Sequence, residues 1–79
     1  AQMGEMISMI AHQWRQPLTS ISNISYDLQL KLQLETFNLN TKEGIEDASK
    51  YFIHSLEDVN NAIFYLTNTI DDFRNFYKP

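Results

Sequence analysis

The sequence predicts an all-α chain: an antiparallel two-helix hairpin that pairs with a second copy into a homodimeric four-helix bundle. Three observations lead there. Apolar residues step by alternating fours and threes along the first third of the chain. The same stepping recurs in the last third, and a short polar stretch rich in asparagine separates the two. Alternating steps of three and four are the heptad pattern of helices that pack along their length.

The first helix is expected over about residues 1–36. Its seam runs through Met3, Ile7, Ile10, Trp14, Pro17, Ile21, Ile24 and Leu28. Leu18 and Leu32 widen it on one side, Met6 and Leu34 on the other. A stripe broader than a strict two-position seam suits a helix with more than one neighbour. The turn is expected over about residues 37–44, within the stretch TFNLNTKEG. Asn40 with Glu43 three positions on, or Thr41, would cap the second helix. Gly44 belongs either to the turn or to that helix's first turn. The second helix is expected over about residues 45–77. Phe52, Leu56, Val59, Ile63, Leu66, Ile70, Phe73 and Tyr77 repeat the pattern, thickened by Ile45, Ala48, Ile53, Ala62 and Phe76. No glycine or proline interrupts it, so about nine turns follow.

One hairpin cannot cover two such wide stripes, and two hairpins can. The chain has 79 residues and no cysteine, so it has no disulfide to compensate for a small core. The formal charge of −4, with six scattered Lys and Arg residues, disfavours a nucleic-acid partner. The apolar runs are too short to cross a bilayer, and no signal peptide is evident. The chain starts inside a helical pattern and reads as a piece of a longer protein.

His12 and Pro17 carry the functional question. Proline inside a helix removes a backbone hydrogen bond and crowds the carbonyl four residues back, at about 3 kcal/mol. With Ile7 and Ile10 on the seam, His12 falls at the heptad position facing away from it, in water. Pro17 frees the carbonyl of Gln13 one turn beyond and makes the helix easier to bend. A metal site is disfavoured, because His54 is the only other histidine and no His-x-x-x-His pair exists. A hydrolytic triad is disfavoured too. Ser8 lies one turn before His12, but no carboxylate clearly orients the ring. A nucleophilic histidine that accepts a phosphoryl group needs only access, a free ring nitrogen and a partner fixing the other nitrogen.

The stretch MISMIAHQWRQPLTSISN, residues 6–23, resembles the phosphoacceptor box of sensor histidine kinases of two-component systems. His12, Pro17 and Leu18 fall in register with that family's pattern. The tail TIDDFRNFYKP, residues 69–79, resembles the end of the same domain's second helix. The resemblance implies a single dimerisation and histidine-phosphotransfer domain over residues 1–79, with an ATP-binding domain downstream. It implies autophosphorylation of His12 from ATP held by that other domain, then transfer to an aspartate of a response-regulator receiver domain. This piece would be part of a protein-histidine kinase and not a competent enzyme alone. ATP and Mg²⁺ would belong to the absent catalytic domain, since this sequence has no glycine-rich nucleotide loop. The implied partners are a second copy, the chain's own ATP-binding domain and the receiver domain, in the cytoplasm, with no membrane contact by this segment. The parent protein's membrane topology stays open.

Two positions depart from the family. Gln13 stands where an acidic residue is usual; its amide oxygen can accept the ring N–H and orient His12, but cannot act as a base near neutral pH. Gln16 replaces a Thr or Asn that positions water for dephosphorylation. Pro17 would be the hinge of a helix that bends between signalling states. Antiparallel pairing places residues whose numbers sum to about 80 at one level, which puts Thr67–Asp72 near His12 and lets Asp71, Asp72 and Arg74 shape its field. The alternative to all of this is a purely structural dimerisation hairpin or a helical partner-binding module.

Overall fold

The structure, a computed structural model, describes residues 2–76, with side chains for residues 4–75. The expected helix limits at Ala1 and Tyr77 and the tail residues 77–79 lie outside the described residues, as do the side chains of Met3 and Phe76. Two helices, α1 (Gln2–Gln33) and α2 (Lys42–Phe76), form an antiparallel hairpin. Met6 and Ile10 near the start of α1 share a groove with Thr69 and Phe73 near the end of α2. The hairpin measures 58 × 19 × 10 Å, and its radius of gyration is 18.0 Å. A compact chain of this length would have about 12 Å. It is a single layer of two rods.

Helix α1 runs without interruption through Pro17. It ends at Gln33, three residues short of the expected limit. Glu35 adopts the left-handed region at φ 51°. The Thr36 N–H donates to the Lys31 carbonyl at 3.1 Å, and the Glu35 N–H to the Leu32 carbonyl at 3.2 Å. These paired bonds are a Schellman ending, which satisfies carbonyls left without helical partners. Glycine is usual at the left-handed position, and its absence here hid the stop. Leu34, expected to widen the stripe, therefore lies past the helix and is 72% exposed.

Helix α2 begins three residues earlier than expected because Thr41 caps it. Its Oγ1 accepts the Gly44 N–H at 3.0 Å, and its carbonyl accepts the Ile45 N–H at 3.1 Å. The Asn40–Glu43 alternative is not used. Asn40 instead donates its N–H to Asn38 Oδ1 at 3.0 Å, and Thr41 Oγ1 donates to the Asn38 carbonyl at 3.2 Å. Gly44 sits in the first turn of α2. A Cβ there would lie 1.9 Å from the Asn38 carbonyl oxygen, so this close approach requires glycine.

The contact between the rods is narrower than the apolar stripes. Ala48, Ser55 and Thr69 are the buried residues among those described, and half-buried Ala62 completes a line at spacing seven. Small side chains let two antiparallel backbones come close, and the large seam residues then flank the contact. Leu56, Ile63 and Ile70 remain 52%, 48% and 40% exposed. Ile53, expected to thicken this face, is exposed as well. It lies nearly opposite Ala62 at about 100° per residue.

The closed end is fastened more firmly. Phe37 of the turn packs its ring on Tyr51 at 5.6 Å and on Phe52 at 6.3 Å between centroids. The Tyr51 hydroxyl donates to the Asp27 carboxylate across the helices. Lys31 donates to the other Asp27 oxygen at 3.3 Å, and its ammonium sits 5.6 Å from the Tyr51 ring centroid.

Candidate functional site

His12 is exposed on α1, about six turns from the closed end. The surface around it is shallow and built from α1 alone, chiefly Glu5, Ser8, Met9, Gln13 and Arg15. Among the described residues its ring makes no hydrogen bond and no ion pair. Position and periodicity thus place this imidazole where the heptad count put it. At about 100° per residue it points away from the Pro17 side of α1 that meets α2.

Gln13 stands on the shoulder between two surroundings. It borders the surface around His12, and it lines a groove of about 650 Å³ between the helices. Gln16 and Pro17 line that groove with Ser20 of α1 and with Asp58, Asn61 and Tyr65 of α2. Gln13 and Gln16 are therefore brought together, with Gln13 alone of the two bordering His12's surface. No hydrogen bond joins the Gln13 amide to the His12 ring.

The acidic residues expected to shape the field at His12 face elsewhere. Asp71 lies 3.9 Å from Arg74, both exposed on α2. Asp72 lines a groove with Met9, Gln13 and Phe73. Neither borders the surface around His12. Trp14 and Phe73 are half-buried near this end, and the Trp14 indole N–H is buried without an acceptor among the described residues. His54 lies on the far half of α2, 3.8 Å from Asp58 and largely exposed. The described residues contain no cluster of side chains able to hold a metal ion, and no helix among them is long and apolar enough to cross a membrane.

The group that sequence reasoning missed is Asp27, Lys31 and Tyr51. The hydrogen bond from Tyr51, helped by Lys31, holds the Asp27 carboxyl below its ordinary range. The same hydrogen bond to Asp27 pushes the Tyr51 hydroxyl above its ordinary value. Both shifts favour the ionised carboxylate accepting from a protonated phenol. The residue numbers sum to 78, so the level rule used for His12 would have paired them.

The two faces of the hairpin differ sharply. One carries the groove in which Gln13, Gln16, Ser20, Asp58 and Asn61 stand beside the apolar Pro17, Ile24 and Ala62. On the other side of the contact line the helical phase places Ile7, Leu18 and Leu32 of α1 with Ile45, Leu56, Ile63 and Ile70 of α2. All seven are at least 40% exposed. No protein-family model, curated protein or solved structure matches the chain.

Proposed function

We propose that this chain is the dimerisation and phosphoacceptor domain of a sensor histidine kinase, with His12 as the acceptor. The observation that carries the reading is the exposed, unengaged His12 imidazole, one turn and a half before a proline that the helix accommodates without breaking. In this reading the unprotonated ring nitrogen attacks the γ-phosphorus of ATP held by a separate domain. The bond from that phosphorus to the bridging oxygen breaks, the electron pair leaves on ADP, and the ring's N–H proton passes to solvent. A carboxylate oxygen of a receiver aspartate then attacks the phosphorus. The P–N bond breaks, and the ring nitrogen takes back a proton.

Gln13 orients the ring when its amide swings outward from the interhelical groove, and Gln16 holds water in that groove beside Pro17. Pro17 acts as the hinge, because the Gln13 carbonyl has no proline N–H to hold it. ATP and Mg²⁺ belong to the partner domain.

A second copy covers the apolar face. The hairpin exposes 6458 Å², about 1,500 Å² more than a compact monomer of its mass. A stable interface buries about 800 Å² per partner, so the excess is ample for one. The same face favours a second reading, a purely structural dimerisation hairpin with an inert His12. One experiment separates them. Incubation with the ATPase domain of the same protein and radiolabelled ATP should give an acid-labile, base-stable phosphate that His12→Gln abolishes. A dimer that never takes this label is the structural hairpin.

A further inference from the structure

The four residues one helical turn from His12 are Ser8 and Met9 before it and Arg15 and Gln16 after it. Positions three and four apart on a helix are neighbours, with about 5–6 Å between their Cβ atoms. Three of these four side chains are hydrogen-bond donors, and none is an anion. Ser8 and Arg15 border the same surface as His12, and no residue of α2 does. Arg15 is exposed and makes no ion pair among the described residues. The other arginine, Arg74, already faces Asp71 at 3.9 Å. The nearest carboxylate on this surface, Glu5, is two turns away, about 10 Å along the axis and about one Debye length at physiological salt.

We propose that Arg15, with the Ser8 hydroxyl opposite, forms an anion cradle that holds a phosphoryl group carried on the His12 ring. This rests on the reading of His12 as phosphoacceptor and adds a residue that touches the transferred group. A guanidinium presents paired N–H donors matched to two phosphoryl oxygens, which an ammonium reproduces only as a point charge. Phosphohistidine hydrolyses when water attacks phosphorus, the P–N bond breaks and the ring nitrogen takes a proton, releasing inorganic phosphate. Charge withdrawn from the oxygens by Arg15 weakens the push that expels the ring, so the cradle lengthens the life of the phosphorylated state. An exposed charge-assisted contact of this kind is worth about a three- to fivefold change in rate.

Phosphoramidate phosphorylates exposed histidines without an enzyme, by transfer of its phosphoryl group to the ring nitrogen with release of ammonia. The test treats the 79-residue chain with it and follows the decay of each phosphohistidine by ³¹P NMR, with resonances assigned through His12→Gln and His54→Gln. His54, on the half of α2 nearer the closed end, is the internal control. The cradle predicts that Arg15→Ala shortens the life of phospho-His12 by about three- to fivefold and leaves phospho-His54 unchanged. Arg15→Lys should recover part of the loss, and the difference should shrink at about 1 M salt, where the Debye length is about 3 Å. Equal phospho-His12 lifetimes in wild type and Arg15→Ala at low salt would overturn the cradle. So would parallel changes at His12 and His54. The acceptor role itself fails separately, by the absence of label from ATP and the ATPase domain.

Discussion

A carboxylate placed on the apolar face should take the dimer apart. Ile63 lies in the middle of that face and is 48% exposed in the single hairpin. Burying a whole isoleucine side chain is worth about 1.5–3 kcal/mol, so the exposed half contributes about 0.7–1.5 kcal/mol per chain on pairing. Ile63→Asp forfeits that and leaves an unpaired carboxylate in the interface, a further penalty of about 3 kcal/mol. Two-fold symmetry doubles the sum to about 8 kcal/mol, and a carboxylate that turns toward water recovers part of it. At about 1.4 kcal/mol per decade, the dimer Kd should rise by at least about a thousandfold. Sedimentation velocity over a dilution series reads the assembly. The emission of Trp14, the single tryptophan, should redden as the dimer parts. Phe64→Asp is the control: Phe64 is 67% exposed on the outward side of α2 and should tolerate the charge. A wild-type chain that is folded and monomeric throughout would refute the reasoning. An Ile63→Asp dimer as tight as wild type would refute it too, as would Phe64→Asp disrupting assembly equally.

Other perturbations address the hairpin itself. Helix propensity alone favours alanine over glycine at position 44 by about 1 kcal/mol. The clash 1.9 Å from the Asn38 carbonyl should reverse that sign, because relief moves the loop that carries the Thr41 cap. Gly44→Ala should therefore lower stability by about 1–2 kcal/mol in urea melts, and a gain would contradict the assignment. Glu35→Gly removes a left-handed strain of about 1–2 kcal/mol against an entropy loss of about 0.5–1 kcal/mol, so the melting temperature should rise modestly. The Asp27–Tyr51 bond gives stability a pH signature at both ends. The folded-state pKa of Asp27 is depressed, so its contribution is present above its unfolded pKa, near pH 4, and is lost as pH falls through the lower folded value. That of Tyr51 is raised, so its contribution is present below its unfolded pKa, near pH 10, and is lost as pH rises through the higher folded value. Asp27→Asn should flatten the acid limb of the stability profile and Tyr51→Phe the alkaline limb. Unchanged limbs would show that the bond does not form in solution.

The helices were legible because heptad stepping is a long-range signal repeated many times along each segment. Their limits were less so, because each is set by a single residue. Glu35 ends α1 in a conformation usually taken by glycine, whereas Thr41, one of the two caps legible in the sequence, starts α2 ahead of its apolar stripe. Of the line of small residues at Ala48, Ser55, Ala62 and Thr69, the apolar pattern held the two alanines, while the polar Ser55 and Thr69 carry no hydrophobic signal. In a two-rod contact the small ones meet, and the large ones flank them. The exposure of His12 followed directly from its heptad position. The facing of Asp72 toward Met9 and Gln13 did not, because it depends on the rotation of α2 about its axis, which level alone cannot fix. The Asp27–Tyr51 bond joins residues 24 apart, so it was visible only with a register for the turn.

Which side chain bears the phosphoryl group can be read directly. After incubation with ATP, Mg²⁺ and the ATPase domain of the same protein, the chain can be digested at mildly alkaline pH and sequenced by electron-transfer mass spectrometry. Phosphate is expected on the His12 ring. Phosphate on Ser8 or His54 instead, or on no residue while the ATPase domain remains active, would contradict it.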